Sequence, residues 1–403
     1  MSWRNSTIIT ISIVFLGGPF GDAASADDHT FELPASEILL EDCPIQIAVP
    51  ESLGEVEHLE VVDLRTKSVT DAQRIGDSER CVFILQDPIS AGETPKFSIQ
   101  KSKNPPADKV TVSRDEGRVI MSLNDKNVLA YNVEVVSPPE GADPIFRRSG
   151  HIHPAWTPDG LIVTDEFPAD HVHQHAIFSA WTKTTFEGER VDFWNQKAET
   201  GTVEHREVLD LVSGPVFGEL KVRLAHVVTK TENQDVLDEV WTIRLFAIAD
   251  PHFFEIESVQ TCVAETPLTI DEYHYGGFAF RGAAEFFSEQ GHSMVTNETS
   301  DRVEGNHSRP DWVSLFGQVS GKQCGAVMFS HPENFRSPQP VRLHPTKPYF
   351  VFSPCVLGEF SLEPGQPFRS RYAYLTFDGT PDRKRIGQLW TTFGREDALT
   401  IVP

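Results

Sequence analysis

Short alternations of apolar and polar residues recur along nearly the whole chain and predict strands rather than helices. Near the amino end, ILLEDCPIQIAVP, HLEVVDLR, CVFILQD and PKFSIQK are separated by turns containing Pro, Gly and Ser. They predict a small β-sandwich module over 27–104, bounded by the polar, proline-bearing KSKNPPADK, Lys101 to Lys109. KVTVSRDEGRVIMSLNDKNVLAYNVEVV then reads as strand, turn, strand, with the turn at Asn124-Asp125-Lys126-Asn127. Further on, GELKVRLAHVVT, DEVWTIRLFAIA and HFFEIESVQTCVA form an antiparallel meander of long strands. WVSLFGQV, CGAVMFSHP, YFVFSP and PFRSRYAYLTFDG continue the pattern, and only PDRKRIGQLWTTFGR invites a helix. A β body running from 110 to 403 has to pack two large sheets face to face, because one open sheet would expose an apolar face. The expected fold is all-β, a large antiparallel sandwich preceded by a small one.

The first residues depart from this pattern. Arg4, the apolar run Ile8 to Leu16 and the small-x-small site Ala24-Ser25-Ala26 predict a secretory signal over 1–26, with the mature chain starting near Asp27. The protein is thus expected to be exported, periplasmic or extracellular, with no membrane association after processing. The formal charge of −24 argues against nucleic acid or an anionic membrane surface as partner and fits a neutral ligand, a cation or a metal. Export permits disulfides, and Cys43 with Cys81 is the candidate pair inside the small module; Cys262, Cys324 and Cys355 complete an odd set of five.

Chemistry concentrates in RRSGHIHPAWTPDGLIVTDEFPADHVHQHAIFSAWT, where five of the fifteen histidines fall between His151 and His175. On a strand, alternate residues share a face, so His171, His173 and His175 are expected to point the same way. His153, His171, His173 and His175 are the candidate metal ligands, with a divalent metal (Zn, Mn, Cu or Fe) as candidate cofactor. As acid–base groups, His171 and His173 pair with Asp165 and Asp170, each orienting a ring or acting as base. The competing reading is a polar turn of solvated histidines. A second group, Trp181, Asp192, Trp194 and Asn195, suits a small carbohydrate, since an indole covers the C–H face of a sugar while carboxylate and amide meet its hydroxyls; the same tryptophans would also serve as core. A third stretch, DEYHYGGFAFRG, offers Gly276-Gly277 for close backbone approach and Arg281 for an oxygen ligand, or a strand bulge with a structural arginine. His331 and Arg336 lie in a further loop-like stretch. The Gly-x-Ser-x-Gly, Walker, Gly-x-Gly-x-x-Gly and His-Glu-x-x-His motifs are all missing from the sequence, which weakens serine hydrolase, nucleotide and zincin readings and leaves a sugar epimerase, lyase or hydrolase-like enzyme open.

The histidine-rich stretch, FEGERVDFWN, YGGFAFRG, WVSLFGQVSGKQCGAVMFSHPENFRSP and PGQPFRSRYAYLTFDG together resemble the bacterial exported PmoA-like family, over roughly 110–380. Gln174 and Ala176 stand where that family usually has a denser histidine run followed by glycine. The name implies a metal-dependent oxygenase, yet the chain has none of the spans or helical periodicity of the membrane monooxygenase subunit. The whole is similar to the galactose-mutarotase-like supersandwich, which implies a carbohydrate ligand without fixing a reaction. The leading expectation is an exported carbohydrate-active enzyme using His/Asp acid–base or metal-assisted chemistry. A non-catalytic carbohydrate- or metal-binding module and an oxygenase are the alternatives.

Overall fold

The structure, a computed structural model, describes residues 29–56, 58–230, 233–287 and 291–394; the expected secretory signal and the start near Asp27 lie outside the described residues. Six antiparallel strands between Thr30 and Lys101 form the amino-terminal sheet, whose centre is the ring cluster of Phe31, Phe83 and Phe97. Its core continues into Phe217, Phe246, Phe253 and Phe329 of the large body, so the module docks on the back of that body. The helix Arg383–Phe393 packs there too. Asp382 caps it by accepting from the amides of Lys384 and Arg385, and Ile386, Leu389 and Phe393 recur on its buried side. The expected Cys43–Cys81 bridge does not form. Cys81 is a free buried thiol, and burial pushes it up to about 12.

The large body is built on two eight-stranded antiparallel sheets, with a four-stranded antiparallel sheet beside them. One contains the meander Phe217–Val228, Gln234–Phe246 and His252–Cys262, as the alternation predicts. The other carries His151–Ala155, Ile177–Trp181, Gly276–Arg281 and Tyr349–Phe352 side by side. Aromatic rings fill the space between the sheets. Phe278 meets Trp241 at 5.2 Å and Tyr372 at 4.7 Å, and Phe280 stacks on Phe350 at 5.6 Å.

This parity decides where chemistry can sit. Phe278 and Phe280 point inward, so Ala279 and Arg281 point outward. Register pairs Phe280 with Ile177 and Ala279 with Phe178, which puts Phe178 on the outer face, and pairs Ile152 with Ile177, which puts His151 there. Arg281 pairs with Tyr349 on the next strand. Among the described residues no helix is long and apolar enough to cross a membrane.

Candidate functional site

The stretch expected to be a strand of alternating histidines is a turn. The amide of His171 donates to the Pro168 carbonyl and that of Gln174 to the His171 carbonyl, while Phe167 and Ala176 take left-handed backbone angles on either side. Regular pairing resumes only at Ile177. Local hydrogen bonds thus replace ladder bonds, and the three histidines do not share a face.

The turn is anchored by charge. Asp170 accepts from Arg281 Nη2 at 3.0 Å, meets Lys347 Nζ at 3.0 Å and receives His171 Nδ1 at 3.1 Å. Arg281 also donates to Gln174 Oε1 at 3.0 Å and is almost wholly buried. Burial pushes Asp170 up, but Lys347, Arg281 and His171 outweigh it and hold the carboxyl well below the usual carboxylate range. With its Nδ1 proton committed to Asp170, His171 presents the lone pair of Nε2. His173 lies beside it, ring centroids 5.6 Å apart, and makes no hydrogen bond to the described residues. Burial, and then the neighbouring His171 ring, push His173 down to about 4, so it is neutral at pH 7. His344 lies 5.6 Å from His171 on the other side. Its Nδ1 accepts from the amides of Thr346 and Lys347, which leaves the proton on Nε2.

His171, His173 and Gln174 form one wall of a cavity of about 210 Å³. Trp194, Asn195 and Thr182 form a second, and Tyr273, Tyr275 and Tyr349 a third. Trp194 packs on Phe178 at 4.6 Å, so the outer face of the sheet holds it. Asp192 does not face a ligand. It accepts from the amides of Trp194 and Asn195 and from Asn195 Nδ2, fixing the turn that carries both. Asn195 therefore still offers Oδ1 and its second Nδ2 proton. Lone pairs on His171 Nε2 and Asn195 Oδ1, the donor Trp194 Nε1, and three aromatic rings make a surface of mixed donors and acceptors. A larger cavity of about 320 Å³ opens by Arg147, Gln196 and Thr202, but it holds neither His171 nor His173.

Other sequence candidates fall elsewhere. Trp181 sits on the inward face; its indole donates to Gln260 Oε1 at 2.9 Å across the sandwich. It is core, and Trp181→Phe should cost about 1–3 kcal/mol by leaving Gln260 unpaired, with ligand binding unchanged. Chemical unfolding beside a ligand titration checks this; a change in affinity without loss of stability would contradict it. Arg281 is committed to Asp170 and Gln174, so it positions the turn rather than meeting a ligand. Gly277 serves the sheet, because a Cβ there would come within 2.6 Å of the Phe352 carbonyl oxygen. Arg336 donates to the carbonyls of Pro354 and Gly358, and His331 packs on Phe393; neither lines the cavity.

Behind the turn lies a second imidazole–carboxylate group. Glu166 meets His151 Nε2 at 2.7 Å and His153 Nε2 at 3.9 Å; His153 Nδ1 bonds Thr164 at 3.0 Å. His175 is buried against Gln196 Oε1 at 3.1 Å. Of the four proposed metal ligands, only His171 and His173 lie side by side, while His153 and His175 sit in hydrogen-bonded settings of their own. Among the described residues no three His, Cys, Asp or Glu side chains form a group that would hold a metal ion, so this donor set does not fit Zn, Mn, Cu or Fe. Asp165 lies outside the cavity lining. Burial raises it to about 6, against the pull of Arg281 and with the push of Asp170 and Glu166.

Burial pushes His153, His173, His205 and His344 down to about 4 from an ordinary 6.5. The unfolded chain therefore takes up these protons first, and their contribution is complete above pH 6.5 and lost as pH falls towards 4. Asp165 acts oppositely, its contribution fading as pH rises from 3.8 through about 6. Asp42, Asp238, Glu255 and Asp311 are raised like Asp165, but the lowered histidines outnumber these carboxyls, so the melting temperature should drop between pH 7 and pH 5. A flat or rising profile would contradict these assignments.

The fold and site define an all-β double-sheet protein with an imidazole- and tyrosine-lined cavity on the outer face of one sheet. A family model matches residues 118–391, and the chain belongs to that family, described as a family of unknown function (DUF6807). The PmoA-like name stays a resemblance. No curated protein matches the chain. Among solved structures, the heparan sulfate lyase HepC from Pedobacter heparinus is similar at 10% identity and a TM-score of 0.31, over 70% of this chain and 38% of that one. The chain thus spans little more than a third of that protein's length.

Proposed function

We propose that the cavity binds a small, neutral, polyhydroxylated ligand, a sugar ring, and that His171, oriented by Asp170, exchanges a proton with it. The observation that carries this reading is the Asp170–His171 pair at the wall of an aromatic cavity, with the neutral, unbonded ring of His173 beside it. An orienting carboxylate fixes the tautomer of the base, and a neutral neighbour can give or take the second proton. Trp194 and the tyrosines cover C–H faces, while Asn195 Oδ1 and Trp194 Nε1 read hydroxyls. The amino-terminal segment supports placing the protein outside the cytoplasm, where free sugars and glycans are met. The oxygenase alternative finds no three-donor group among the described residues to hold its metal.

Saturation-transfer NMR with D-glucose, D-galactose and D-mannose tests the reading. At least one should bind, and Trp194→Ala should weaken it by about 1–3 kcal/mol. No binding by any of the three, or undiminished binding by the variant, would count against it.

A further inference from the structure

Tyr349 lines the cavity, yet its hydroxyl is sealed from solvent and meets no partner among the described residues. Its ring is held on three sides, by Trp194 at 6.2 Å, by Tyr275 at 5.8 Å, and by the strand that pairs it with Arg281. Arg281, its cross-strand neighbour, likewise has a buried Nε without a partner. A buried hydroxyl without a partner is costly, and native proteins keep few such groups. A second orphan hydroxyl supplies the comparison. Tyr374 is equally buried and unpartnered, but it lies inside the sandwich, stacked on Phe254 at 5.1 Å, away from the cavity.

We propose that the Tyr349 hydroxyl is the specificity-determining donor of this cavity, completed only when a ligand brings an oxygen acceptor to it. This rests on the reading of the cavity as a sugar site. The hydroxyl is closed off in the empty protein, so a ligand oxygen reaches it only as binding shifts the Trp194 or Tyr275 ring packed against Tyr349. Its contribution is thus withheld from the empty protein and expressed on binding, which makes it a test of which hydroxyl pattern enters.

The experiment compares Tyr349→Phe and Tyr374→Phe with the wild type, by thermal melting without ligand and by titration with whichever of D-glucose, D-galactose and D-mannose binds the wild type best. Both variants should melt at or above the wild-type temperature, because each loses an unpaired polar atom. Tyr349→Phe should bind that sugar on the order of tenfold more weakly, and Tyr374→Phe as well as wild type. Unchanged affinity in Tyr349→Phe overturns the inference alone. A fall in melting temperature confined to Tyr349→Phe also overturns it, since the hydroxyl would then have an internal partner. If the wild type binds none of the three sugars, the reading of the cavity and this inference fall together.

Discussion

Arg281→Met is expected to destabilise the protein by about 3–5 kcal/mol, the scale of breaking a buried charge pair by removing one partner. The guanidinium is almost wholly buried and binds two groups of the turn, Asp170 Oδ1 and Gln174 Oε1, each at 3.0 Å. Methionine fills much of the same volume, so the loss would report the polar contacts rather than a cavity. Asp170 would keep Lys347 and His171, which softens the effect on that side. Gln174 would lose the one partner its side-chain oxygen has among the described residues. Urea unfolding measures the change. A loss under 1 kcal/mol would mean that the turn is held by its backbone bonds alone and that Arg281 is not its anchor.

Asp170→Asn is the substitution with the largest expected effect on chemistry. It is nearly isosteric and retains one oxygen for Arg281, but it removes the charge that fixes the His171 tautomer. Positioned acid–base groups contribute about 10²- to 10⁴-fold, and a base presented in the wrong tautomer loses most of that. The rate at which carbon-bound protons of the sugar exchange with solvent deuterium, followed by NMR, should fall by that factor, while sugar affinity changes little because Asp170 is outside the cavity lining. Equal rates for wild type and variant would reduce the site to a binding module, the alternative reading of the same residues.

Much of this arrangement was legible in the sequence, and the limits are physical. Alternation predicted the long meander because its strands have one face in the sandwich and one outside. The same alternation misled at HVHQH, where period two arises in a turn: Pro168 supplies a carbonyl for His171, and Phe167 and Ala176 take left-handed angles. Trp181 and Trp194 looked alike as indoles near the histidines. Parity separates them, since Trp181 pairs with Gly276 on the inward face while Trp194 packs on the outward Phe178. DEYHYGGFAFRG drew notice for its glycines and Arg281, but Tyr273 and Tyr275 in the same stretch are what reach the cavity. Lys347, His344 and Tyr349 carried no local signal. They are far away in sequence, and only the pairing of Tyr349–Phe352 with Gly276–Arg281 brings them to the turn.

The most direct test of the central claim follows the imidazole resonances during a sugar titration. With D-glucose, D-galactose or D-mannose added to the wild type, the ring signals of His171 and His173 should shift along a saturable curve. Those of His331, which packs against Phe393 outside the cavity lining, should stay fixed. Shifts at His331 without shifts at His171 and His173, or no saturable shift at either of the two, would contradict the assignment of this cavity as the ligand site.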